Sequence, residues 1–136
     1  MIRKTSFLAV GLGMFLAAGL TATLVTSSQA SSPRKVDAET YAKALRVFKR
    51  KQCSGCHVPD SSELGEKGPG LKGVYKARGE DWLKKFLANP AELAKTDPRL
   101  IELKKTYPDG MPDPELSTEQ IDLLLSFLSV DGVEPK

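Results

Sequence analysis

Apolar side chains recur at helical spacing in several stretches of this chain, and no stretch shows the alternation of a strand. Tyr41, Ala44, Leu45 and Phe48 stand at i, i+3, i+4 and i+7, with Lys43, Arg46 and Arg50 on the other side. This predicts an amphipathic helix that is capped by Asp37 and runs directly into Cys53. Residues 59–73 are rich in Gly, Pro, Ser and charge and read as loop. A second helix is expected over residues 81–88, burying Trp82, Leu83, Phe86 and Leu87, with Asn89-Pro90 as its stop. Asp97-Pro98 sets a capping residue before a proline at the first helical position, which opens a helix to about Lys105. Residues 107–114 carry three prolines and a glycine and read as a second long loop. Ser117-Thr118-Glu119-Gln120 matches a capping box ahead of Ile121, Leu124, Leu125 and Leu128. The fold class is therefore all-α.

The N-terminus changes where this fold is expected to reside. Arg3 and Lys4 precede an apolar run over residues 7–25, and Ser28-Gln29-Ala30 supplies small residues for cleavage. Residues 1–30 thus read as a signal peptide. The alternative is an uncleaved anchor in the inner membrane, since the run is close to the length that spans a bilayer. Residues 31–36 form a short polar lead. The whole chain of 136 residues has a formal charge of +3. Without residues 1–30, 18 basic side chains face 17 acidic ones, and no concentrated basic excess points to nucleic acid. The mature length suits one domain with a modest core.

Cys53-Ser54-Gly55-Cys56-His57 holds both cysteines and the only histidine. C-x-x-C-H is the attachment pattern of a c-type haem. Two thiols with two residues between them suit the two vinyl groups of one porphyrin, and the adjacent imidazole then lies beneath the iron. Three other uses of the pair remain open at this point. A thioredoxin-like dithiol wants a neighbouring βαβ pattern, whereas Arg50-Lys51-Gln52 precedes the motif. A structural zinc site needs four ligands and would have to borrow carboxylates or a second chain. A Cys53–Cys56 disulfide would close a very small loop and stabilise little. No repeat and no second motif occurs, so one haem is expected.

His57 fills one axial position, and a closed electron-transfer site takes a second protein ligand, commonly a Met thioether. Met1 and Met14 belong to the export segment, which leaves Met111. Methionine is ordinarily a core filler. Met111 instead lies in Tyr107-Pro108-Asp109-Gly110-Met111-Pro112-Asp113-Pro114, which cannot continue as helix, and Pro112 biases Met111 towards an extended backbone. A stiff loop that aims one side chain suits a ligand.

With these residues in place, the chain resembles the single-haem, His/Met-ligated bacterial cytochrome c family (class I type). The resemblance covers residues 37–130, leaving residues 131–136 as a C-terminal tail. It implies a cytochrome c fold of three to five helices wrapped around one covalently attached haem c, with the N- and C-terminal helices crossing. Phe48 matches the aromatic five residues before the first Cys, Ala44 replaces the usual glycine at the crossing, and Phe127 and Leu128 match the apolar close of the last helix. Lys67-Gly68-Pro69-Gly70-Leu71-Lys72-Gly73-Val74 looks like the family's G-P-x-L-x-G loop. By that resemblance the Pro69 carbonyl accepts a hydrogen bond from His57 Nδ1–H, a bond that orients the ligand, and Leu71 packs on the porphyrin. Trp82 follows the family's aromatic near the haem. A propionate is the expected acceptor for its indole N–H, and Arg78 or Tyr75 are further candidates for a propionate. Haem attachment in this family takes place outside the inner membrane, in agreement with export.

The resemblance implies electron transfer, with His57 and Met111 as iron ligands, between redox protein donors and acceptors in the periplasm. No catalytic residues are assigned, and a monomer without nucleic-acid partners is expected. One alternative is a dedicated haem c subunit of a larger oxidoreductase complex. Another is a haem protein with an open distal site. The basic residues Lys43, Arg46, Lys49, Arg50 and Lys51 suggest either a docking patch for an acidic partner or a solvated helix face, and the solvated face is the simpler expectation.

Overall fold

The computed structural model describes residues 34–135, so the segment read as a signal peptide, and the start of the lead, lie outside the described residues. Six helices follow in order, α1 (Ala38–Arg50), α2 (Val74–Arg78), α3 (Glu80–Ala88), α4 (Pro90–Leu93), α5 (Pro98–Thr106) and α6 (Thr118–Ser129), and no strand is present among those residues. α1, α3, α5 and α6 are the helices that the spacing predicts. α2 and α4 have five and four residues, too few for a periodicity to register. They raise the helix number above the three to five expected. Asn89 does end α3, but its side chain then accepts the Glu92 N–H (3.0 Å), which starts α4 with Pro90 in its first turn.

The caps are those read from the chain. Asp37 Oδ1 accepts the Thr40 N–H at 2.7 Å, and Asp97 Oδ1 accepts from Arg99 (2.9 Å) and Leu100 (3.0 Å). Ser117 and Gln120 form the full reciprocal box, at 3.2 and 3.1 Å.

α1 crosses α6, and this pair carries the core. Tyr41, Ala44, Val47 and Phe48 bury their face against Ile121, Leu124, Leu125, Phe127 and Leu128. The Phe127 ring lies 4.8 Å from Phe48 and 5.8 Å from Tyr41. Ala44 is wholly buried, so its small side chain sits within the packed interior that the crossing creates. α2 and α3 cover another side of α6, where Tyr75, Leu83 and Leu87 are buried.

Both ends of the described segment are tied to these helices. Arg34 of the polar lead donates to both carboxylate oxygens of Glu80 at 2.5 and 3.0 Å, and to the Asp122 carbonyl at 3.2 Å. Beyond α6, the Gly132 carbonyl accepts the Tyr41 hydroxyl (2.9 Å) and Asp131 Oδ1 accepts the Gly73 N–H (2.7 Å). α5 differs from the other long helices because none of its residues is buried.

Candidate haem-binding site

α1 ends at Arg50, short of the first cysteine, and a turn follows where the sequence predicts continuous helix. Gln52 takes a left-handed conformation (φ 58°) and leads into a 3-10 turn over Cys53–Gly55. The Cys53 carbonyl then accepts N–H groups from Cys56 (3.2 Å) and His57 (2.9 Å). Both thiols and the imidazole therefore belong to one compact loop. Cys53 is half-buried and burial pushes its thiol pKa up, whereas Cys56 is exposed.

His57 Nδ1 lies 2.8 Å from the Pro69 carbonyl oxygen. A carbonyl only accepts, so Nδ1 carries a proton, and Nε2 is the ring nitrogen placed to bind a metal. The glycines on either side of Pro69 make this approach sterically feasible. A Cβ on Gly68 would meet His57 Cε1 at 3.0 Å, and one on Gly70 would run into the Ser61 carbonyl. The loop is braced by Gly70 N–H to the Glu63 carbonyl (2.7 Å) and by Gly65 N–H to the Gly68 carbonyl (3.1 Å).

Three cavities of about 180, 100 and 290 Å³ surround this loop, and His57 and Met111 line all three. None exceeds the ~300 Å³ at the lower end for small-molecule sites, but their shared walls suit a single flat group. The back wall is apolar, with Phe48, Leu71, Val74, Leu83, Leu124 and Leu128. The mouth holds both cysteines and Lys51 from one segment, with Pro112 and Pro114 from the Met111 loop. The remaining flank is made by Phe86, Pro90, Leu100, Leu103 and Tyr107. Two thiols on one rim, an imidazole held through Nδ1 and an apolar interior fit a tetrapyrrole held by thioethers. Among the described residues, no group of three or more His, Cys, Asp or Glu side chains could hold a metal ion, so the zinc alternative lacks a ligand set there.

Residues 41–130 match the family model described as cytochrome c. The chain belongs to the cytochrome c family. Similar solved structures are a cytochrome c from Rhodothermus marinus and a cytochrome c domain of a Pseudomonas putida protein. The first is 28% identical, with a TM-score of 0.63 over 76% of this chain and 86% of that one. The second is 30% identical, with a TM-score of 0.53 over 65% and 87%. No curated protein matches the chain. As a cytochrome c, it carries haem c bound covalently through Cys53 and Cys56, and its role is haem-based electron transfer. No described helix is long and apolar enough to cross a membrane.

Pro69, Leu71, His57 and Met111 meet at the cytochrome's cavities, but Trp82, Arg78 and Tyr75 are placed otherwise than the sequence suggests. The Trp82 indole N–H donates to Asp97 Oδ2 at 2.9 Å, where a propionate was the expected acceptor. The Arg78 guanidinium lies 4.7 Å above the Trp82 ring and 3.7 Å from the same carboxylate. Tyr75 donates to Glu80 Oε2 at 2.7 Å. The reason is that Asp97, the cap of α5, remains charged in this position. Burial opposes its ionisation, but the Leu100 N–H, the Trp82 N–H and Arg78 outweigh burial and hold its pKa below the usual carboxylate range. Trp82 supports the cavity from behind, stacked at 5.0 Å on Phe86, which lines it.

Sequence reasoning does not single out Leu100, Leu103 and Tyr107 as wall residues. Leu100 and Leu103 at i, i+3 were a signal of a helix face, without saying what it faces. Lys51 also differs from its neighbours. It reads as one charge of a basic helix, but its ammonium donates to the carbonyls of Pro114 (3.0 Å) and Glu115 (2.7 Å). Lys43 pairs with Glu39 at 2.8 Å, while Arg46, Lys49 and Arg50 are solvated, in keeping with the solvated face.

Proposed function

We propose that this cytochrome is a one-haem carrier with His57 and Met111 as the axial ligands, passing single electrons between redox proteins in the periplasm. The observation that carries the reading is that these two side chains, from two separate loops, line all three of the cavities around the attachment loop. The haem supplies the redox chemistry by cycling one electron at its iron. The chain's residues supply the environment. The Pro69 carbonyl orients the imidazole so that Nε2 is the nitrogen turned to the iron. Met111, half-buried against the core in the loop that carries Pro112 and Pro114, offers a thioether that raises the reduction potential. Leu71, Val74 and Leu124 exclude water from the interior. With protein ligands at both positions, little moves on each transfer and no open position is left for substrate. Export through residues 1–30 delivers the thiols to the compartment where haem is attached. Trp82 contributes indirectly, by holding Phe86 in place.

The test is Met111→Ala in the mature haem-loaded protein. Loss of the low-spin six-coordinate spectrum and of the sulfur-to-iron charge-transfer band is expected, together with a lower reduction potential and new binding of carbon monoxide by the reduced form. A variant with the parent spectrum would overturn Met111 as ligand.

A further inference from the structure

The loop that presents Met111 has little backbone structure of its own. Pro112 and Pro114 lack N–H groups, the Glu115 N–H turns back to Asp113 Oδ1 (2.9 Å), and Glu115 adopts φ 47°. Two side chains hold the loop at its ends, one its own and one from outside. Before Met111, the Tyr107 hydroxyl donates to the Gly65 carbonyl of the loop that bears Pro69, at 2.8 Å. After it, Lys51 Nζ donates to two successive carbonyls, Pro114 at 3.0 Å and Glu115 at 2.7 Å. Lys51 sits at the C-terminal cap of α1, two residues before Cys53, so the same short segment bears the attachment thiols and grips the Met111 loop. Bonds from an ammonium are about twice as strong as neutral ones, and the Lys51 side chain is half-buried, its bond to Pro114 more sheltered than its bond to Glu115.

We propose that Lys51 is a positioning residue, a latch that holds the Met111 loop closed over the haem and sets how readily the sixth position admits an external ligand. The inference rests on Met111 as the axial ligand. Before an exogenous base can bind, Met111 must leave, and its loop must swing off the attachment segment. The apparent affinity for that base therefore carries the closing equilibrium as a factor. Removing the latch shifts that equilibrium to the open form without altering either iron ligand. A solvated lysine elsewhere on α1 has no such effect.

Imidazole titration of the oxidised holoprotein reads this directly. Lys51→Met is expected to tighten apparent imidazole binding about tenfold, as loss of a charged bond implies. Lys51→Arg, which can still donate to both carbonyls, should stay near the parent value, and the exposed control Lys49→Met should not change it. Unchanged affinity in Lys51→Met overturns the latch, as does an equal shift in Lys49→Met, which would indicate an effect of charge alone. The charge-transfer band of the parent separates the two readings. Its absence refutes Met111 ligation, whereas its presence with imidazole affinity unmoved in Lys51→Met refutes only the latch.

Discussion

Glu80 links three parts of the molecule through one carboxylate. It accepts from Arg34 of the lead, from the Tyr75 hydroxyl of α2 and from Lys84 one turn on (2.8 Å). The Arg34 guanidinium first, then the Lys84 and Tyr75 bonds, hold its pKa far below the ordinary glutamate range. A carboxyl depressed in the folded state stabilises fully above its unfolded pKa, and the gain is lost as pH falls towards the folded value. Glu80→Gln should therefore cost about 1 kcal/mol at neutral pH, given its partial exposure. The gap to the parent should narrow below about pH 4. Denaturant unfolding at the two pH values checks this, and a gap that widens in acid would contradict it. Arg34 and Glu80 are 46 residues apart, and nothing in the local sequence of either announces the other. By contrast, the bond between His57 and Pro69 is one that the family resemblance implies through the C-x-x-C-H motif and the Gly-Pro-Gly loop, whereas the residues of that loop by themselves say only that the chain turns.

At the scale of elements, local rules determine most of the outcome. The caps at Asp37, Asp97 and Ser117 form as read, since a capping oxygen needs only an N–H two or three residues ahead. Loss of the box by Ser117→Ala should cost about 1 kcal/mol. It should also raise amide exchange in the first turn of α6, where the Met111 loop ends. An unchanged denaturation midpoint would mean that α6 is held by packing alone. α2 and α4 escaped the reading because each is a single short turn, defined by the glycines or asparagine at its ends. The turn after α1 escaped too. Gln52 in the left-handed region is a conformation that its sequence does not advertise, and it is retained because the C-x-x-C-H loop must close on the Cys53 carbonyl.

For the whole molecule, the haem completes a core that the helices share unequally. α1, α3 and α6 bury one another's apolar faces, whereas α5 has no buried residue and turns Leu100 and Leu103 to the cavity. Without haem, α5 and the Met111 loop lose the group they pack against, while the crossing of α1 and α6 keeps most of its contacts. In a Cys53→Ser/Cys56→Ser variant, which cannot form the thioethers, hydrogen exchange should be fast over residues 95–116 and slowest in α1 and α6. Uniform protection across all helices would show that α5 stands without the haem. The sequence alone determined the helical class, the four longer helices, the N-terminal caps of three of them, the haem attachment residues and the candidate axial methionine. Each rests on interactions within a few residues, or on a chemistry with only one set of side chains available. Tertiary structure alone decided that Trp82 bonds Asp97, that Lys51 grips the Met111 loop and that Leu100 and Leu103 face the haem cavity. Those pairings join residues far apart in the chain, and their partners are selected by distance and burial after the helices have packed.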